Sequence, residues 1–352
     1  MSVVALSHGY PPLWNMGGEV ALHRAMLAIR GDRHVLTSTP EPYIFEGVNV
    51  RQINTDDVLN TLADPKPIAE QLKDINARVV IGQNELSLPA VKAAKLSGAI
   101  SVVNVHTPPR FGGTIRAAMP VADYAVYNTQ TAAIQWGEPD AFVLHPPISP
   151  LPNELYKGGD AYTLLSSLTN KGVEVVLNLA KVFPTQRFII VRSPAEPTHG
   201  LADIEQRVAD LPNVELHPRV PPEEVWKYLQ QTRILLVPSR YETYGMSAIE
   251  AAGYGIPSIH VDTPHVREGI GDAAVLIPPL DLQAAANAIN HIESNYETFS
   301  VGARQRAEWL HQRQNSEIAA FADFIDNLKK PIDNRARHRA VTSGYHRYKR
   351  SF

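Results

Sequence analysis

The chain is 352 residues long, 44% hydrophobic and 20% charged, with no cysteine and a formal net charge of −3. A chain of this length exceeds what one core usually fills, so two domains are expected. The missing cysteines exclude a disulfide framework, a thiol nucleophile and Cys-ligated zinc, and the mild acidity argues against a surface that coats nucleic acid generally.

Taken in chain order, Met1–Gly9 has neither a positive n-region nor a long apolar run. No later stretch approaches the ~18 apolar residues of a membrane span. The expectation is a cytoplasmic protein with no signal peptide and no integral membrane segment. Strand-like runs then follow at Val3–Ser7, His34–Thr37, Val48–Ile53, Arg78–Ile81, Ser101–Val105, Tyr124–Tyr127 and Ala141–Leu144. Helical patterns lie between many of them, at Glu19–Ile29, Pro67–Lys73 and Leu88–Leu96. The runs are nearly continuous Val, Ile and Ala rather than alternating, as in strands buried on both faces of a parallel sheet. Strand and helix alternating in this way predicts an α/β, doubly wound domain.

Residues His145–Glu154 then hold prolines at 146, 147, 150 and 152. Proline continues neither a helix nor a central strand, so the segment reads as a stiff connector, with a domain boundary favoured over a long surface loop. The α/β pattern restarts with strands at Tyr162–Leu165, Arg187–Val191, Val214–Leu216, Ile234–Val237, Ser258–Val261 and Ala274–Ile277. Its helices are expected at Val173–Val182, Leu201–Leu211, Pro222–Gln231, Met246–Tyr254 and Leu282–Ser294, then Ser300–Arg313 and Ser316–Leu328. The predicted organisation is therefore one α/β domain over 1–150 and a second over 155–313, with a last helix in 314–330. A basic tail over 331–352 is expected to be mobile. From Lys329 to Phe352 there are eight Lys or Arg against one acid, Asp333, which makes that end +7 and the remainder −10. Tyr345, Tyr348 and Phe352 interleave with these charges, a pattern that suits an anionic membrane surface, nucleic-acid phosphates or a solubilising end.

The most informative segment runs from Ile234 to Pro257. A buried strand ends at Val237, a turn carries Glu242, and a helix begins near Thr243, Tyr244 and Gly245. The free N–H groups and partial positive charge of a helix start suit a phosphate, and Gly245 keeps no side chain in the way. Glu250 lies roughly one and a half turns further on, where a carboxylate can accept from both hydroxyls of a ribose. Glu242 would face whatever lies beyond the phosphates. Phosphate, ribose and sugar are the parts of a nucleotide-sugar.

Glu242, seven residues and Glu250, set in Pro-Ser-x-x-Glu-Thr-Tyr-Gly and closed by Glu-Ala-Ala-x-x-Gly-Ile-Pro, resemble the signature of retaining glycosyltransferases of glycosyltransferase family 4. The resemblance implies a GT-B fold, two Rossmann-like domains facing a central cleft, with the acceptor on the first and the donor on the second. Further matches extend over nearly the whole chain. Gly17-Gly18-Glu19 is similar to the family's glycine loop beside the donor diphosphate, and Val102–His106 to the strand whose terminal histidine, here His106, contacts the donor sugar. His8 is a weaker candidate at another strand end, and Glu268 matches a position often glutamate in relatives.

One position departs from the pattern. Relatives usually carry an arginine and a lysine at the start of the second domain, both on the diphosphate. Here Lys171 is present but Ser167 stands where the arginine is expected; Arg240, Arg110 and Arg192 are candidate substitutes. Asp-x-Asp is absent, and Asp56-Asp57 reads as a helix cap. The resemblance therefore implies metal-independent transfer of a hexose from a UDP- or GDP-linked donor to an acceptor hydroxyl, with retention and with no cofactor beyond that substrate. The acceptor is open among lipid, glycan, protein and modified nucleic acid. A silent binding protein of the same fold, and less readily an epimerase or phosphorylase, are the alternatives.

Overall fold

A computed structural model describes residues 2–14, 17–39, 41–53, 64–152, 158–192, 201–221, 224–331 and 337–343. The chain divides into two compact units, one formed by Met1–Pro147 with Gln314–Phe352 and the other by Ile148–Arg313.

The first unit runs β1 (Ser2–Leu6), α1 (Gly17–Ala28), β2 (Asp32–Thr37), β3 (Tyr43–Phe45), β4 (Val48–Gln52), α2 (Lys66–Asp74), β5 (Ala77–Gln83) and α3 (Ser87–Ser97). It continues with β6 (Ile100–Val105), α4 (Ile115–Ala118), β7 (Tyr124–Tyr127), α5 (Gln130–Trp136) and β8 (Phe142–Val143). The strands form one sheet in the order β3-β4-β2-β1-β5-β6-β7-β8. It is parallel except for β3, which pairs antiparallel with β4 at the edge. That short strand was not expected from sequence, because Tyr43-Ile44-Phe45 is too brief for a period to show. Each residue of β1 is buried, and β5 and β6 are buried over most of their length, which explains their unbroken apolar sequences.

The second unit runs β9 (Ala161–Leu164), α6 (Val173–Val182), β10 (Phe188–Val191), α7 (Leu201–Ala209), β11 (Val214–His217), α8 (Trp226–Leu229) and β12 (Thr232–Val237). It continues with α9 (Met246–Gly253), β13 (Ser258–Val261), α10 (Pro264–Glu268), β14 (Ala274–Ile277) and α11 (Leu282–Ser294). Its all-parallel sheet has the order β11-β10-β9-β12-β13-β14. Sequence order reverses between β9 and β12 here, and between β1 and β5 in the first unit. These are the switch points beyond whose strand ends ligands bind in open α/β sheets.

The two terminal helices expected from sequence are one, α12 (Tyr296–Asn327). Nothing between Arg313 and Ser316 stops a helix: Gln314 and Asn315 lack the φ restriction of proline and the freedom of glycine. Within the first unit, Phe321 and Ile325 of α12 are buried with β1 and β5 side chains, and Phe324 stacks on Phe142 at 4.7 Å. Arg78 donates to the carbonyls of Ile325, Asp326 and Leu328 at 3.1, 3.0 and 2.6 Å, satisfying the free acceptors at the helix end.

Part of the basic end is described. Lys330 pairs with Asp123 at 3.0 Å. Residues 337–343 are helical, with Val341 buried against the cluster of Tyr127 and Trp136. Arg337 reaches Glu138 at 2.7 Å and the carbonyl of Ala122 at 2.8 Å. Part of the positive charge that marks this end is thus spent inside the first unit. The interleaved aromatics Tyr345, Tyr348 and Phe352, and the pair Asp56-Asp57, lie outside the described residues. Among the described residues no helix is long and apolar enough to cross a membrane.

Candidate active site

In the second unit the predicted residues converge at the switch point. After β9 a short turn over Thr169–Lys171 leads into α6 through Gly172. Gly172 adopts φ +91°, and a Cβ there would lie 2.5 Å from the carbonyl oxygen of Pro238, beyond the end of β12. Glycine is therefore required on both counts. The same two loops are joined by the Arg240 N–H, which donates to the Asn170 carbonyl at 2.8 Å.

That junction places Lys171 beside the turn carrying Glu242. The Lys171 ammonium reaches Glu242 Oε1 at 2.6 Å, and Ser239 Oγ donates to the same oxygen at 2.9 Å. Thr263, which caps α10 by accepting from the Val266 N–H, donates to the Glu242 carbonyl at 3.1 Å. Glu242 is mostly shielded while about a third of Lys171 remains exposed. The ammonium can thus hold the carboxylate with one donor and offer its others outward.

Gly245, with φ +86°, opens α9. A Cβ at Gly245 would lie 2.5 Å from Nε2 of the buried His260. The first amides of α9 are left without intrahelical partners by helix geometry and adjoin the Lys171–Glu242 pair in the chain. Glu250 sits five residues into α9, half-buried, and its charge raises the Tyr254 pKa after burial, the larger cause. Thr243 is half-buried. The Tyr244 ring is in the core and its hydroxyl accepts from Arg313 at 2.7 Å.

Of the candidate replacements for the missing arginine, Arg240 is exposed and stitched to the Lys171 turn. Arg192 is paired with Glu205 at 3.1 Å, and Arg110 belongs to the first unit, over the Phe111 ring. Ser167 is buried. The backbone carbonyls of Glu268 and Gly269 are held by Arg306.

The first unit gathers a different set at its own switch point. Gly17 and Gly18 start α1. A Cβ on Gly17 would meet nothing within 4 Å, and one on Gly18 only Gln83 Nε2 at 3.5 Å and Asn84 Nδ2 at 4.0 Å. Glu19 is buried, and that burial, with a lesser push from Glu85, raises its pKa. His8 lies 3.9 Å from Glu85, edge-on to Trp14. His106 follows β6, and its backbone carbonyl accepts from Asn128 at 3.3 Å. Its Nε2 is buried without a hydrogen-bond partner among the described residues, and burial brings the imidazole down to a pKa of about 4. It is neutral at physiological pH.

A cation and a helix start after β9 and β12 suit a diphosphate. Residues 161–295 match the model of the family described as glycosyl transferases group 1. That match lies within the second unit. The whole chain has the GT-B fold, seen in solved structures with low sequence identity. HepE of Anabaena, in complex with UDP and glucose, is similar at a TM-score of 0.74 and 16% identity, over 93% of this chain and 99% of that one. Sucrose-phosphate synthase of Thermosynechococcus elongatus is similar at 0.74 and 15%, over 92% and 98%. WaaG, a glycosyltransferase involved in lipopolysaccharide biosynthesis, is similar at 0.69 and 16%, over 93% and 100%. Among curated proteins, an uncharacterized 41.2 kDa protein in the cps region of Klebsiella pneumoniae is 29% identical over 102 residues. That match spans 29% of this chain and 27% of the relative.

Several residues that shape this part of the second unit were not singled out as site residues in the sequence. Ser239 and Thr263 are small hydroxyl residues in loops, with no periodicity to flag them. His260 had a signal: it is the one ionisable residue in the strand Ser258-Ile259-His260-Val261.

Proposed function

We propose that the chain is a retaining, metal-independent hexosyltransferase that takes its donor as a nucleoside diphosphate sugar. The observation that carries the reading is the Lys171–Glu242 pair, held at the β9/β12 switch point directly ahead of the helix start at Gly245. The ammonium and the first amides of α9 supply positive potential for a diphosphate, so a metal ion has no unfilled electrostatic role. Arg240 is the side chain best placed by its backbone to add the charge that Ser167 lacks.

Glu250 binds the ribose. Glu242 receives both of its side-chain donors on Oε1 among the described residues, so Oε2 is left to accept a hydroxyl of the sugar. In the first unit His106 is neutral, with Nε2 unpartnered among the described residues, and can accept from a hydroxyl. The bond from the anomeric carbon to the diphosphate oxygen breaks and one to the acceptor oxygen forms on the same face. The acceptor proton passes to the departing phosphate, so the protein contributes positioning and charge stabilisation. UDP is the nucleotide favoured first, since HepE is seen with UDP and glucose.

The test is a thermal-shift panel with UDP, GDP, ADP, TDP and their hexose conjugates, alongside Glu250→Ala. A ligand at one hundred times its Kd stabilises by about 2.7 kcal/mol. One nucleotide series shifting the wild type and not the variant supports the reading. No shift from any nucleotide would favour the silent binding protein instead, for which Ser167 is the supporting observation.

A further inference from the structure

His260 is placed where a side chain of its kind needs a reason. It is fully buried in β13, between Val237 of β12 and Leu276 of β14 in the sheet, where an aliphatic residue would pack without polar cost. Its Nδ1 lies 3.2 Å from the carbonyl oxygen of Val261. A carbonyl only accepts, so Nδ1 carries the proton and Nε2 presents a lone pair. That Nε2 is buried with no hydrogen-bond partner among the described residues. It faces Gly245, whose absent Cβ would stand 2.5 Å away. A buried acceptor left unpaired is costly, and here it is aimed at the backbone that opens α9.

The groups around the ring are few. Burial is the largest influence and holds the imidazole neutral, Glu242 favours a proton on it, and Lys171 opposes one. The flanking strands contribute the apolar Val237 and Leu276. The balance is therefore open to change by one more negative charge on the other side of Gly245. At ~5 Å and an effective dielectric of about 20, a unit charge shifts a protonation equilibrium by more than tenfold.

We propose that His260 is a positioning residue for the donor diphosphate, taking up a proton at Nε2 when the anion docks at Gly245 and the first turn of α9. The proton comes from solvent, one N–H bond forms, and an imidazolium then lies beneath the anion, across the single backbone layer of Gly245. When the nucleotide leaves, the proton leaves with it. This inference rests on the donor site proposed above.

The experiment is calorimetric titration of the full chain with UDP-glucose, whose diphosphate has no proton to lose near neutrality. It is run at one pH near 7 in HEPES and in Tris, which differ in ionisation enthalpy. A fraction of a proton taken up per UDP-glucose is expected, with affinity rising severalfold as pH falls from about 8 to about 6. His260→Asn, which retains a donor for the Val261 carbonyl, abolishes the uptake and flattens that profile. In parallel, nitrogen NMR of the wild type shows the Nε2 signal of His260 moving from the unprotonated to the protonated range on adding UDP-glucose. Binding without proton uptake, or uptake that persists in His260→Asn, overturns the inference and leaves the donor site standing. No binding of UDP-glucose or of pyrophosphate removes the donor site and the inference together.

Discussion

The two switch points of this protein are built from the same topology and hold opposite chemistry. In the second unit a lysine, a carboxylate and a helix start meet in loops locked together by Gly172 and by the Arg240–Asn170 hydrogen bond. In the first unit a buried carboxyl in the first turn of α1, Glu19, and a neutral imidazole after β6, His106, accompany Gly17, whose Cβ position meets nothing within 4 Å among the described residues. The difference shows that a Rossmann-like sheet supplies only a place for a ligand. The side chains at its edge differ between the two units and are set by each unit's own loops.

The largest expected effect separates the two sets of glycines. Gly172→Ala forces a side chain into left-handed backbone and onto the Pro238 carbonyl. A loss of about 3 kcal/mol or more is predicted from strain and clash together. Gly17→Ala, with free space around it, should stay within about 0.5 kcal/mol. Equilibrium unfolding in urea measures both, and equal losses would break the comparison.

Next in size, Lys171→Ala and Glu242→Gln should each lower turnover with a UDP-hexose by about 10²–10³-fold, while circular dichroism keeps the wild-type form. Turnover within threefold of wild type in either variant would show that the pair is only a structural contact.

The neutral histidine of the first unit predicts a pH dependence with a defined sign. His106 has a folded pKa of about 4, below the ~6.5 of an unfolded histidine. Its contribution to stability is complete above about 6.5 and is lost as pH falls toward 4, amounting to about 2–3 kcal/mol. His106→Gln should show a smaller drop in melting temperature between those two pH values. An unchanged drop would place the proton elsewhere.

The smallest effect tests the docked C-terminal end. Arg337→Ala leaves Glu138 and the Tyr127 hydroxyl without their cation in a largely enclosed setting, and a loss of about 1–3 kcal/mol is expected. A melting temperature unchanged by the substitution would mean that this segment does not stay bound in solution.

Much of the fold was legible because parallel strands buried on both faces write themselves as continuous apolar runs. The runs Ser101–Val105 and Ile234–Val237 needed no partner to be recognised, and fall within the observed strands Ile100–Val105 and Thr232–Val237. The site was legible where its chemistry is contiguous, from Glu242 through Gly245 to Glu250. It was illegible where contacts come from distant loops. Thr263 reaches the Glu242 carbonyl only once β12 and β13 pair. The Tyr244 ring packs in the core, where Arg313 meets its hydroxyl, a contact 69 residues apart in the chain.

The sequence by itself determined the α/β alternation, the connector at 145–154 and the Glu242–Glu250 segment, since periodicity, proline and helix-start chemistry are local. Only the tertiary structure decided which loops meet. It put Lys171 at 2.6 Å from a glutamate 71 residues away, set His260 beneath Gly245, and folded part of the basic end onto the first unit through Lys330 and Arg337. The reason is that a charge gains its partner, and a buried nitrogen its orientation, from neighbours brought by sheet order rather than by chain order.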